Sequence, residues 1–199
     1  MNYPTTIKNL IDCYKKLPGI GAKTAERLAL ASMEMDQDAI DLFSKSLVDI
    51  KTKIKHCIIC NNLSETEKCL ICTDNMRNKS IVCVVEDPKN IIAIEKIGTY
   101  NGTYHVLNGL ISPLDGINPE DVNISTLLDR IDKENIKEVI LALKPNIEGE
   151  TTALYINRKL KDKNVVVTKI AHGIPLGADM EYIDTLTLSM ALDDRKKIS

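Results

Sequence analysis

Apolar positions three and four apart open the chain. Ile7, Leu10, Ile11 and Tyr14 share one side of segment 5–17, which predicts an amphipathic helix. Pro18 and Gly19 end it. The spacing resumes after Gly21 in AKTAERLALASM. It resumes again from Asp36, a residue suited to cap a helix, with Ile40, Leu42, Phe43, Leu47 and Ile50 as expected buried positions. From residue 80 the rhythm changes. SIVCVV (80–85) is a continuous apolar run, the pattern of a strand covered on both faces. Asp87 and Pro88 then open a helix as N-cap and first helical residue, and Gly98 stops it. A strand (103–107), a Gly/Pro-rich loop, a helix (124–135), a strand (138–143), a helix (151–163) and a strand (164–171) follow. Alternating strands and helices imply βαβ units around a mainly parallel sheet. Residues 173–199 begin GIPLGADMEYID and end in a short helix and a polar tail.

Composition sharpens this picture. Hydrophobic residues make 44% of the 199 and charged residues 27%, which suits a folded chain. Aromatics are only 4%, so the core must be aliphatic, and a base-stacking platform is not expected. No apolar run reaches the length of a membrane span, and the first residues lack the pattern of a signal peptide. A cytoplasmic protein is expected. The net charge of −2 excludes a uniformly basic nucleic-acid binder. The charge is uneven, however. Residues 1–80 hold 12 basic against 10 acidic side chains, and residues 81–199 hold 14 against 18. A DNA-contacting patch is therefore expected in the first part.

Six cysteines in a reducing compartment do not read as a disulfide framework. Four form Cys57-x2-Cys60-x8-Cys69-x2-Cys72. Two CxxC turns joined by a short loop supply four soft ligands in a closed tetrahedron, the pattern of one structural Zn²⁺ rather than a catalytic one. The competing reading is a redox pair. His56 is adjacent but not needed as a ligand. Cys13 and Cys83 lie in apolar patterns and are expected to be small buried residues.

Residues 17–29, LPGIGAKTAERLA, resemble a helix-hairpin-helix. Gly19 and Gly21 let backbone N–H groups approach a phosphate without reading a base. Lys23 and Arg27 are four apart and share a helix face, while Ala25, Leu28 and Ala29 can pack on the other. The competing reading is an ordinary helical hairpin with a solvated basic side. Lys51, Lys53 and Lys55 are candidates to extend the patch.

Glu86 follows the first strand of the βαβ region, and Glu148 and Glu150 follow a later one. Functional groups gather at the carboxyl ends of parallel strands. The arrangement resembles a Toprim domain, in which a glutamate and a later Asp-x-Asp hold Mg²⁺ for phosphoryl transfer. Here Lys144, Pro145 and Asn146 occupy the Asp-x-Asp positions. Two readings remain for the glutamates: a weak metal site, or acidic residues favouring the start of the next helix.

The order of these features resembles the bacterial RecR recombination protein family. The resemblance rests on LPGIGAKTAERLA, the four cysteines, VVEDP at 84–88, EGETTALY at 148–155 and HGIPLGADMEYIDTLTL at 172–188. Lys144 departs from it, since the family more often has an uncharged polar residue there. The resemblance implies a multidomain α/β chain. Its parts would be a helix-hairpin-helix over 1–53, a zinc finger over 54–78, a Toprim-like domain over 79–173 and a C-terminal helical segment over 174–199. It further implies a non-enzymatic, nucleoid-associated mediator that binds DNA without sequence preference as a dimer or a ring-like tetramer. With RecO, and in some settings RecF, such a protein helps load RecA onto DNA covered by single-strand binding protein. DNA contact would fall to Gly19, Gly21, Lys23 and Arg27, and partner contact to Glu86, Glu148 and Glu150. Two alternatives are a divergent Toprim Mg²⁺-dependent nuclease or primase-like enzyme, and a zinc-containing interaction module with no DNA role.

Overall fold

The computed structural model describes residues 3–171, 173–195 and 197. His172, part of the C-terminal motif, lies outside the described residues. The chain divides into two units, residues 1–54 and 55–199.

The first unit is helical. α1 (Thr5–Lys15) packs on α2 (Ala22–Met33), whose Ala25 and Ala29 are fully buried because only a small side chain fits a close helix contact. The Tyr14 hydroxyl meets Ser32 Oγ across this pair at 2.8 Å. α3 (Gln37–Lys53) starts where Asp36 accepts the Ala39 N–H, as its sequence predicts. Its apolar positions depart from expectation. Leu42, Phe43, Leu47 and Ile50 are 42–67% exposed, and α3 has no buried residue. The periodicity is real, but among the described residues nothing within this unit covers that side. Cys13 is likewise exposed rather than buried.

The second unit starts with a short hairpin, β1 (Lys55–His56) and β2 (Leu63–Ser64), and one turn of helix, α4 (Leu70–Thr73). A four-stranded parallel sheet follows. Its strands are β3 (Asn78–Val85), β4 (Gly102–Val106), β5 (Glu138–Ala142) and β6 (Val166–Lys169), in the order β4-β3-β5-β6. The last four residues of β3 are buried, as its continuous apolar run predicts. α6 (Ser125–Lys133) and α7 (Ile147–Leu160) cover one face through Leu127, Ile131, Ala153, Ile156 and Leu160. α5 (Pro88–Glu95) covers the other, where Ile91 meets Cys83, Val85, Tyr104 and Val106. Burial pushes the Cys83 thiol up to about 12, so it behaves as a hydrophobe. α8 (Thr185–Asp193) ends the chain's regular structure, capped by Asp184.

Several boundaries differ from those read in the sequence, most of all at α7 and the final strand. α7 starts at Ile147, not at 151, because the Asn146 side chain accepts the Gly149 N–H and caps the helix early. Glu148 and Glu150 therefore lie inside its first turn rather than before it. The final strand is shorter at both ends than 164–171.

The connections place the functional end. From β3 the chain crosses to β4 on one side, then returns past β3 to β5. The winding reverses between β3 and β5, and in open parallel sheets the crevice beyond the carboxyl ends of such strands is where sites form. Glu86 follows β3 there, and Lys144 follows β5.

Candidate functional site

The four cysteines meet. Their sulfurs lie within 4.8 Å of one another, and all four side chains are buried. Cys60 Sγ and Cys69 Sγ are 3.5 Å apart, close to the edge of about 3.8 Å expected for a tetrahedron with Zn–S bonds of about 2.3 Å. The first pair sits in a turn in which Asn61 N–H donates to Cys57 O at 2.8 Å and Cys57 N–H to Asn62 O at 2.7 Å. The second pair brackets α4, with Cys69 at its N-cap and Cys72 inside it. The thiols are coupled: hydrogen bonds from Cys60 and then Cys72 lower the Cys69 thiol, and its bond to Cys69 raises the Cys60 thiol. His56 turns away from this centre, and its Nδ1 donates to Asn61 O at 3.0 Å. The donor set is closed, all-sulfur and buried. It suits one structural zinc ion, with Cys57, Cys60, Cys69 and Cys72 as ligands.

In the first unit, the turn between α1 and α2 presents Gly19 with φ +80° and Gly21 as the N-cap of α2. Gly19 satisfies a left-handed backbone. Gly21 needs no such conformation, and a Cβ there would meet nothing within 4 Å. Its effect is to leave the start of α2 open. No side chain caps these N–H groups and no acidic residue lies in the first turn, so the positive end of the helix faces outward. Lys23 and Arg27 stand exposed on the same helix. The intervening Glu26 is engaged elsewhere, by the Tyr3 hydroxyl. Lys53 pairs with Asp49 at 2.7 Å, while Lys51 and Lys55 are exposed.

At the carboxyl end of the sheet, Glu86 Oε1 accepts from Lys144 Nζ at 2.9 Å. Glu86 Oε2 is buried with no hydrogen-bond partner among the described residues. Asp87 is committed to the start of α5, accepting the Lys89 N–H at 2.8 Å, and this bond holds its carboxyl below the usual range. Glu150 pairs with Lys169 at 3.1 Å. The structure does not gather Glu86, Glu148 and Glu150: among the described residues, the cysteines are the only group of three or more ligand-type side chains that converge. An ammonium group lies where a cation would have to approach Glu86. Beside it is an open pocket of about 590 Å³ lined by His56, Leu63, Glu86, Asp87, Asn108 and Gly109.

Two residues of the turn into α7 escaped the sequence reading. Asn146 is a helix cap, and an Asn three residues before Gly149 was a usable signal for it. Gly149 is required because a Cβ there would lie 1.9 Å from the Lys144 carbonyl oxygen. That contact closes the turn from β5 into α7, and a lone Gly between two glutamates does not announce it.

Comparison with known proteins agrees with this geometry. Four family profiles match in succession: the RecR helix-hairpin-helix over residues 7–51, the RecR four-cysteine zinc finger domain over 54–74, the Toprim domain over 80–171 and the RecR C-terminal region over 173–196. The recombination protein RecR of Staphylococcus haemolyticus is 50% identical over 198 residues, covering all of both chains. With its open helix-hairpin-helix turn, its four-cysteine centre and its parallel Toprim sheet in that order, the chain belongs to the RecR family.

Proposed function

We propose that this chain is a DNA repair and recombination mediator without catalytic activity of its own. It binds DNA through Gly19, Gly21, Lys23 and Arg27, and acts with RecO, and with RecF where that protein is used, to load RecA. One observation carries the reading: Lys23 and Arg27 stand exposed beside an uncapped helix start, inside the segment that matches the RecR helix-hairpin-helix. Backbone N–H groups and two cations suit phosphate, and nothing in the turn reads a base edge. The ion pair of Lys144 with Glu86 supports a non-enzymatic Toprim domain, since it neutralises the carboxylate a divalent ion would need. The uncovered side of α3 supports self-association, because a stripe of this size is rarely left to water. The pocket beside Glu86 supports partner contact at that end, with Glu148 and Glu150 on the neighbouring helix start.

DNA binding measured against salt tests this reading. The parent should lose affinity steeply as salt rises and show little preference among base sequences. Lys23→Ala/Arg27→Ala should lose most binding while zinc content stays the same. Its salt slope should fall by about two for each chain engaged. Binding equal to the parent at the same salt would overturn the assignment and move the search to Lys51 and Lys55. Assays with Mg²⁺ and Mn²⁺ test the catalytic side. Turnover of DNA that disappears in Glu86→Gln would overturn the non-enzymatic reading.

A further inference from the structure

β4 is an edge strand, and an open edge offers unpaired N–H and C=O groups to any other chain. Here that side is closed by four different devices. Gly102 O accepts from Arg77 at 3.4 Å, and Tyr104 O accepts from the buried Arg130 at 2.7 Å. Val106 N–H donates to Cys60 O at 2.8 Å. Val106 O accepts the side-chain amides of Asn61 at 3.1 Å and Asn123 at 3.0 Å. The next residue faces inward, and Leu107 N–H donates to Val85 O at 2.9 Å.

Cys60 and Asn61 belong to the turn between the first two cysteines. Asn61 has φ 62°, a left-handed conformation that Asn tolerates better than most non-glycine residues. Three of its polar groups have tasks. Its N–H closes the turn onto Cys57 O, its carbonyl accepts from His56, and its amide reaches Val106. The base of the turn is thus pinned by metal ligands, and its tip lies on the sheet.

We propose that the zinc centre is a latch on the open edge of the Toprim sheet, with Asn61 as the positioning residue that ties the cysteine turn to Val106. With no ion to tie the four sulfurs together, the turn between Cys57 and Cys60 loses its anchor, so losing zinc loosens it and releases the Val106 N–H from Cys60 O. The arginine contacts at residues 102 and 104 do not depend on the metal and keep those two carbonyls engaged. The latch therefore reports zinc loss at one end of β4, next to the loop that lines the Glu86 pocket.

Amide hydrogen exchange on the full chain, read residue by residue, tests this. When zinc is removed by a chelator, Val106 should exchange faster by about tenfold or more, the scale of one lost hydrogen bond, while Leu107 stays within about twofold. Asn61→Gly keeps the left-handed backbone and removes only the amide. With one zinc still bound per chain, it should accelerate Val106 in the same direction, again sparing Leu107. An unchanged Val106 in either arm overturns the proposal. Equal loss of protection at both residues also overturns it, because zinc would then hold the whole sheet rather than its edge.

Discussion

The Cα of Gly149 packs against the Lys144 carbonyl, and this close approach sets the turn that carries Lys144 towards Glu86. Gly149→Ala should force that turn apart and cost about 2 kcal/mol, a fall in melting temperature of about 4–8 °C. Thermal unfolding of parent and variant checks it. His105 gives a pH signature. It is fully buried, its Nε2 donates to Asn123 O at 2.9 Å, and its Nδ1 has no partner among the described residues. Burial, reinforced by the charge of Arg130, lowers its pKa to about 4 from 6.5, against the opposing effect of the Asn123 bond. The unfolded chain therefore binds the proton first. Stability is full above pH 6.5 and should fall by about 1 kcal/mol per pH unit down to pH 4, levelling off below. Denaturant unfolding of parent and His105→Gln should diverge over that window and run parallel above it. At this scale the cysteines were legible, because their meaning lies in a short spacing. Asn61, His105 and Gly149 were not, because each acts on something the sequence does not place beside it: residue 106, residue 123, or the close approach of a carbonyl.

Among the elements, the cysteine unit has little apolar core of its own, so metal affinity is its folding energy. Cys60→Ser should lower zinc well below one per chain by metal analysis and open residues 55–74 to limited proteolysis. A variant that keeps the parent's zinc content and protection would refute the four-ligand site. Most strands and helices of the sheet were readable from periodicity and caps, and Asp36 and Asp87 cap the helices their positions predicted. The start of α7 was missed because Asn146 was read for charge instead of for capping. α3 was read correctly as a helix but wrongly as covered. Periodicity reports that a helix side is apolar. It does not say whether the same chain buries it.

For the whole molecule, that uncovered side of α3 becomes a statement about assembly. Phe43 and Leu47 stand 42% and 55% exposed, and burying such a side chain is worth about 1.5–3 kcal/mol. Phe43→Lys/Leu47→Lys should therefore shift the native mass towards a single chain, and DNA affinity should fall with it, because joined chains raise each other's effective concentration on DNA. An unchanged mass would show that this surface does not join chains. The domain order was legible because each domain carries its own motif, whereas the proposed assembly has none. The central claim is that the chain promotes RecA loading through phosphate contacts and without turnover. It is tested most directly by following RecA assembly on gapped DNA covered by single-strand binding protein, with RecO present. The account predicts that the parent accelerates assembly in proportion to its concentration and leaves the DNA uncut, and that Lys23→Ala/Arg27→Ala does not accelerate it. Acceleration by the double variant equal to the parent's, or strand cleavage by the parent, would contradict it.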